Sequence, residues 1–280
     1  SKHNTPVAAK IAGGAASGIL EIGLFHPVDT VAKRLMNNNG KVDSISTMNQ
    51  VVFKDAATKN PLDKVKSLWP GMGFATGYKV TQRAYKYGTQ PIIKDAIEKS
   101  FGDQYRSTFG PDNAKILMNA TAGSVVGLGE GALLPLDALK IKSQTNPESL
   151  KGRGAATILK EEGVRKLYRG AGWTAARNIP GSFALFGGNT AMQSWLRKGK
   201  ENQDTTLVEH AAGSIAGSAA SIAVTNPLDV VKVRVQAKSF NESASGMKVV
   251  KDIITKEGLG AFLKGLPTKL AIAGPKLAFS

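Results

Sequence analysis

The sequence predicts an all-α membrane protein of six transmembrane helices in three pseudo-symmetric repeats, each repeat carrying a short amphipathic helix. Three observations lead there. A proline-acid-basic segment occurs three times, as HPVDTVAKR (His26 to Arg34), LPLDALKIK (Leu134 to Lys142) and NPLDVVKVR (Asn226 to Arg234). A second landmark follows each copy in the same order: DKVKSLWPG ending at Gly71, EGVRKLYRG at Gly170 and EGLGAFLKG at Gly265. Each proline is preceded by a long stretch of small and apolar residues. Two ordered landmarks recurring at about a third of the chain mark internal repeats, with expected boundaries 1–105, 106–201 and 202–280.

The first helix of each repeat comes from that apolar stretch. IAGGAASGILEIGLFHP holds one charge, Glu21; ILMNATAGSVVGLGEGALLP holds one, Glu130; AAGSIAGSAASIAVTNP holds none. Each is near the ~20 residues that span a hydrocarbon core. Each also contains two glycines four apart (Gly14 and Gly18, Gly123 and Gly127, Gly213 and Gly217), a spacing that lets helix backbones approach closely in a membrane. Pro27, Pro135 and Pro227 then remove a backbone hydrogen bond and predict a bend at the end of the first helix of each repeat. Counting the six spans in chain order, these first helices are the odd helices and the second helix of each repeat is an even helix.

The connecting element is polar with an apolar stripe. In GMKVVKDIITKEG, Val249, Val250, Ile253 and Ile254 fall on one helix face, which suits a helix lying along a membrane surface. MNQVVFKDAATK and GAATILKEEG occupy the same place in the other repeats. After Gly71, Gly170 and Gly265 the second helix of each repeat begins. The last stops at Ser280, four residues after Lys276, and is expected to be incomplete at that point.

Composition narrows the chemistry. Lys and Arg number 37 against 21 Asp and Glu, a net charge of +16, which points to polyanionic partners: nucleic acid, anionic lipid or phosphorylated small molecules. There is no cysteine, and the three histidines, His3, His26 and His210, are scattered. Disulfides and thiolate sites are excluded, and no metal site is expected. No P-loop and no nucleophile beside a base is recognisable, so no enzyme, catalytic residue or cofactor is expected. No charged region followed by an apolar core opens the chain, so no secretory signal is expected. A mean hydropathy of −0.13 would by itself suggest a soluble protein, unless polar side chains face one another inside a bundle. Lys79, Gln82, Arg83 and Lys86, spaced i, i+3, i+4 and i+7, would then line a wet cavity, and charges buried in a bundle become candidates for a transport path.

With these motifs the chain resembles the mitochondrial carrier family over nearly its whole length. GYKVTQRAYKYG, QTNPESLKGRG, GWTAARNIPGSFALFGGN and GPKLAFS look most like the family's guanine-nucleotide (GTP/GDP) carriers. The resemblance implies the mitochondrial carrier fold in the mitochondrial inner membrane, functional as a monomer. It implies one central site that opens alternately to cytosol and matrix and serves as an antiporter for guanine nucleotides. The alternatives are a carrier for another anionic solute and, from a different class, a soluble basic helical-repeat protein that binds nucleic acid. On the first reading no nucleic-acid partner is expected, because a nucleotide path and anionic lipid account for the positive charge.

The family pattern further implies a matrix gate in which Asp29 meets Lys140 and Asp137 meets Lys232, with Gln144 and Gln236 bracing those pairs. Asp229 should meet a basic residue at position 32, where this sequence has Ala32, and Met36 stands in place of the first glutamine. A two-pair ring is therefore expected, with Lys33 or Arg34 reaching toward Asp229. The competing interpretation is that these charges only fix helix register. Where the family has aromatic-acid pairs near the cytosolic ends, this chain has Tyr87-Gly88 and Phe186-Gly187, so that face is expected to close by packing.

Family alignment sets the substrate contact points at Tyr78 and Lys79, Arg177 and Asn178, and Ile272 and Ala273. An arginine fork can donate twice to guanine O6 and N7, and a carboxylate can accept from N1–H and N2–H₂. Arg177, Asn178 and Glu130, with Glu21 as a further candidate, are expected to read the base. Lys79, Arg83, Lys269 and Lys276 are expected to hold phosphates. Glu130 lies seven residues before Asp137 and so on the same helix face; Glu21, eight before Asp29, is less well aimed. The simpler alternative is that Glu130 and Arg177 neutralise one another. Gly71, Gly152, Gly170, Gly246 and Gly265 start matrix-side helices in the family architecture, where free N–H groups attract anions. With Lys151, Arg153, Arg169 and Lys264 beside them, they are the expected sites for cardiolipin.

Overall fold

The computed structural model describes residues 7–197, 206–243 and 245–277. The end of the last helix at Ser280 and the expected boundary between 201 and 202 lie outside the described residues. The described chain is helical, with no strand.

The elements follow the repeat. Helix α1 (Val7–Asn37) leads through α2 (Ile45–Phe53) and α3 (Pro61–Lys66) to α4 (Met72–Phe109). Next, α5 (Pro111–Gly129) and α6 (Leu134–Thr145) are separated by a tight turn at Glu130–Leu133. They lead through α7 (Ala155–Glu162) and α8 (Val164–Leu167) to α9 (Ala171–Leu196). Finally, α10 (Leu207–Ala237) is followed by α11 (Gly246–Asp252), α12 (Leu266–Ala271) and α13 (Ala273–Leu277). Packing runs in a closed circuit: α1 on α4, α4 on α5, α5 on α9, α9 on α10, α10 on α12 and α13, and α12 back on α1. Helices α1, α6 and α10 also touch one another, so the C-terminal ends of the odd helices converge and close one end of the barrel.

Two expectations are corrected here. Pro27 and Pro227 do not end their helices; α1 and α10 run through them to Asn37 and Ala237. The lost hydrogen bond is tolerated because the downstream segments are buried, and tertiary packing outweighs local propensity. Only the middle odd helix is interrupted, and Pro135 sits in the first turn of α6, where a missing N–H costs least. In addition, α4 continues through the expected boundary between 105 and 106 and stops at Phe109, against Gly110.

The glycine pairs of α5 and α10 both face α9. Gly123 lies against Ser182 and Phe186, Gly127 against Asn178, and Gly213 against Asn189 and Gln193. At Gly217 any Cβ would overlap the carbonyl oxygen of Leu185, so two helix backbones touch there directly.

Burial concentrates at the closed end. Met36, Ile141, Val230, Val233 and Val235 form one core with Val249 and Ile253 from the third connection. Of the stripe read from GMKVVKDIITKEG, Val249 and Ile253 are buried and Ile254 is exposed. Away from that end, Ile19, Leu20, Leu24, Val125, Leu128, Ile179 and Phe183 stand exposed on the barrel exterior, as the apolar solvent of a bilayer allows. Two described stretches, Asn113–Thr145 and Leu207–Ala237, are long and apolar enough to span by hydropathy. Even these two carry interior charges, Glu130, Asp137 and Lys140 on the first and Asp229 and Lys232 on the second, which pair with charges on the neighbouring helices. This inward pairing is why mean hydropathy underestimates the chain.

Candidate functional site

The converging odd helices bring acids and lysines together. Lys140 Nζ lies 2.7 Å from Asp29 Oδ2, and Lys232 Nζ lies 2.5 Å from Asp137 Oδ2. Gln144 donates to Asp29 and to the Thr30 hydroxyl, both at 3.2 Å. Gln236 is buried, yet its amide nitrogen and oxygen find no hydrogen-bond partner, so it braces nothing in this conformation. Ala32 and Met36 are fully buried.

Asp229 takes neither Lys33 nor Arg34. Its Oδ1 lies 2.9 Å from Arg177 on α9 and its Oδ2 lies 2.7 Å from Lys269 on α12. Arg34 is committed elsewhere, donating to the carbonyls of Gln144, Val52 and Ser67. The third acid is thus held from the even helices.

The cationic stripe on α4 divides between its two neighbours. Lys79 Nζ lies 2.9 Å and Arg83 Nη2 2.6 Å from the carboxylate of Glu21 on α1. Gln82 donates to Glu130 at 2.8 Å, and Lys86 pairs with it at 2.9 Å. Glu130 therefore meets α4 and not Arg177, and the simple neutralisation of Arg177 by Glu130 does not occur here. Because Glu130 sits in the turn between α5 and α6, the seven-residue spacing to Asp137 does not put the two acids on one continuous helix face. Asn178 turns its amide onto the Gly127 carbonyl at 2.6 Å.

These groups enclose a cavity of about 200 Å³ walled by α4, α5 and α9, whose lining includes Tyr78, Gln82, Lys86, Glu130, Arg177, Asn178 and Lys232. Beside it, a smaller recess gathers Glu21, Asp29, Lys79, Lys140 and Lys276. Lys140 also stands over the Tyr78 ring, 6.0 Å from its centroid. Gln82 and Lys86 of the stripe read from the sequence do line this cavity, whereas Ser182, also in its wall, was not singled out by sequence reasoning.

At the landmark glycines, Gly71, Gly170 and Gly265 each precede a helix with φ of 65°, 83° and 74°, a backbone that glycine adopts without penalty. Gly152 also has positive φ but lies two residues before the α7 cap at Gly154. Gly246 differs: Ser245 caps α11, and Gly246 is small because the Trp173 indole occupies the place of a side chain. Three of the four basic neighbours are already engaged within the protein. Arg153 pairs with Glu161 and Glu162, Arg169 donates to the carbonyls of Ser239 and Phe240, and Lys264 donates to Asn38 and Gly40 and pairs with Glu257.

A second tier below the ion pairs was not anticipated. The basic residue seven positions after each proline reaches the end of the next odd helix. Arg34 donates to Gln144 O at 2.9 Å near the end of α6, and Lys142 donates to Lys238 O just past α10. Arg234 donates to Met36 O and Asn38 O at the end of α1, at 2.9 and 3.0 Å. The last helical carbonyls lack partners of their own and carry partial negative charge, so a buried cation satisfies both needs. The signal was in the sequence, as the final basic residue of each copied segment. Arg234 additionally pairs with Glu257. Burial alone would raise the Glu257 carboxyl, but hydrogen bonds from Arg234 and Lys264 hold it below its usual value. Lys54 is pulled down from the ordinary lysine range by burial, with Arg34 nearby adding to the effect.

The family model described as mitochondrial carrier protein matches residues 112–200 and 202–280. An uncharacterized mitochondrial carrier of Schizosaccharomyces pombe is 50% identical, over 100% of this chain and 93% of its own length. Mitochondrial GTP/GDP carrier protein 1 of Saccharomyces cerevisiae is 47% identical, over 97% of this chain and 91% of its own. Mitochondrial substrate carrier family protein Z of Dictyostelium discoideum is 26% identical, over 97% and 88%.

Proposed function

The chain belongs to the mitochondrial carrier family, and from that premise we propose that it exchanges guanine nucleotides, GTP against GDP, across the mitochondrial inner membrane by alternating access. The observation that carries this reading is the 47% identity, over 97% of the chain, to a protein named as a GTP/GDP carrier. The family is one of transporters, so no catalytic step is assigned.

The interior charges suit such a cargo. Five acids, Glu21, Asp29, Glu130, Asp137 and Asp229, share the barrel interior with nine cations: Lys33, Lys79, Arg83, Lys86, Lys140, Arg177, Lys232, Lys269 and Lys276. The formal excess of four positive charges matches a nucleoside polyphosphate. In this reading Lys79, Arg83, Lys269 and Lys276 take the phosphates, while Arg177, Asn178 and Glu130 take the base, with Glu21 in reserve beside Lys79. Asp29, Lys140, Asp137, Lys232 and Asp229 form the matrix gate, and three repeats of about a third of the chain each surround it. Cardiolipin at the landmark glycines and a monomeric working unit belong to the same proposal.

Another anionic solute would also be drawn to this cavity, since fold alone does not fix cargo. Family membership argues against the soluble nucleic-acid binder. Liposomes loaded with GTP and offered labelled GTP, GDP, ATP and ADP decide between the cargoes. Uptake should be well above background for the guanine pair only; equal adenine uptake would remove the base assignment, and no nucleotide uptake would remove the transport reading.

A further inference from the structure

Of the three odd helices only the middle one is interrupted, and the turn that interrupts it, Glu130–Leu133, begins with the cavity acid. It is a 3₁₀ turn, which winds at about 3.0 residues per turn against about 3.6 in an α-helix. Over its four residues the chain is therefore overwound by roughly 80°. That rotation lets Asp137 face Lys232 on α10, at 2.5 Å, while Glu130 faces Gln82 and Lys86 on α4, at 2.8 and 2.9 Å. The same face of α4 supports the turn. Tyr85, three residues after Gln82 and one before Lys86, donates its hydroxyl to the Val126 carbonyl at 3.1 Å. A Cβ on residue 129 would overlap that hydroxyl, so the phenol fits there only because Gly129 has no side chain. The Val126 carbonyl also accepts the backbone N–H of Glu130. One buried oxygen thus joins the Tyr85 ring to the backbone of the acid.

We infer that Tyr85 is a positioning residue for base selection: its hydroxyl, seated on Gly129 and bonded to Val126, holds the turn that aims Glu130 into the cavity, and it acts on the base only through that acid. This rests on the reading of Glu130 as an acceptor for guanine. Without the hydroxyl the turn is free to relax toward regular helix, which swings Glu130 toward the face of Asp137 and away from the base. The acid keeps its charge and loses its aim. The other odd helices have no such device. Helices α1 and α10 run uninterrupted, and Glu21, the interior acid upstream of the gate on α1, is held by direct contact with Lys79 and Arg83.

The test uses the full chain in phosphatidylcholine vesicles loaded with GTP, and labelled GTP and ATP uptake by wild type, Tyr85→Phe, Glu130→Gln and the double variant. Tyr85→Phe keeps the ring and removes one hydrogen bond. It should lower the ratio of kcat/KM for GTP and ATP by about threefold to tenfold, and the loss should fall in the KM for GTP rather than in the maximal rate. Added to Glu130→Gln, it should lower the ratio no further, because residues that act through one contact are not additive. Gly129→Ala should show the loss of Tyr85→Phe or a larger one, and adding Tyr85→Phe to it should recover part, since the methyl then enters the space the hydroxyl leaves. If Gly129→Ala does not fold alone, the Tyr85→Phe arms decide. A ratio unchanged in Tyr85→Phe while Glu130→Gln lowers it overturns the assignment. So does an equal loss with and without Glu130, or a lower melting midpoint and maximal rate at unchanged KM. A ratio unchanged in Glu130→Gln instead removes the base-reading on which the assignment rests.

Discussion

Lys232 Nζ sits 2.5 Å from Asp137 Oδ2, with less than a tenth of either side chain exposed, and yet that oxygen makes no hydrogen bond of proper geometry. The pair is close, buried and poorly directed. Such a contact balances Coulomb attraction against desolvation and has a small net value, while losing one partner leaves a charge stranded at a cost of about 3–5 kcal/mol.

Charge reversal at either position, Asp137→Lys or Lys232→Asp, should therefore abolish exchange. The double swap should restore a measurable fraction in reconstituted vesicles. No recovery in a folded double variant would show that the two side chains do not act as a pair.

Glu130→Gln should relax the preference for guanine over adenine. A lost pair of base contacts is worth about 1–3 kcal/mol, so the ratio of kcat/KM for GTP and ATP should fall by roughly tenfold or more. Gln82→Leu separates the two roles of this carboxylate: it removes the neighbour that donates to Glu130 at 2.8 Å but leaves the acid, so discrimination should persist. A preference unchanged in Glu130→Gln removes Glu130 from base recognition.

Gly217→Ala should destabilise the barrel, because the added methyl overlaps the Leu185 carbonyl, whereas Gly187→Ala meets no neighbour within 4 Å. Overpacking of this kind costs about 1–3 kcal/mol. Thermal unfolding in detergent should show a lower midpoint for the first variant and little change for the second.

Acid should loosen the closed end through Glu257, whose ordinary value is 4.5 and whose folded value is lower. A depressed carboxylate adds stability above its unfolded pKa and loses it as pH falls through the folded one. Thermal stability carried by this group should be flat from neutral pH down to about 4.5 and decline below that. Glu257→Gln should lower stability at neutral pH and flatten the acid limb; a limb that is unchanged would assign the loss to other carboxylates.

Much of the architecture was legible because repetition is visible without coordinates. The copied segments located the odd helices, and the glycine pairs marked faces that pack closely. Helix continuity was misjudged at Pro27 and Pro227, where burial of the following turns overrides a local breaking signal. The partners of Asp229 were also hidden. An absent basic residue at position 32 announces a gap, but only folding shows that Arg177 and Lys269, far away in sequence, fill it. Glu130 was misaimed for a related reason, since the turn after Gly129 breaks the helical periodicity on which its placement relied.

The basic residues beneath the ion pairs are joined head to tail. Arg34 grips the second unit, Lys142 the third, and Arg234 the first. A cycle has no loose end: tilting any one unit pulls on the cation it lends forward and on the carbonyl it offers backward. The aperture should behave like an iris, widening in a concerted step, and a chain missing one blade of that iris should leak through a lopsided opening.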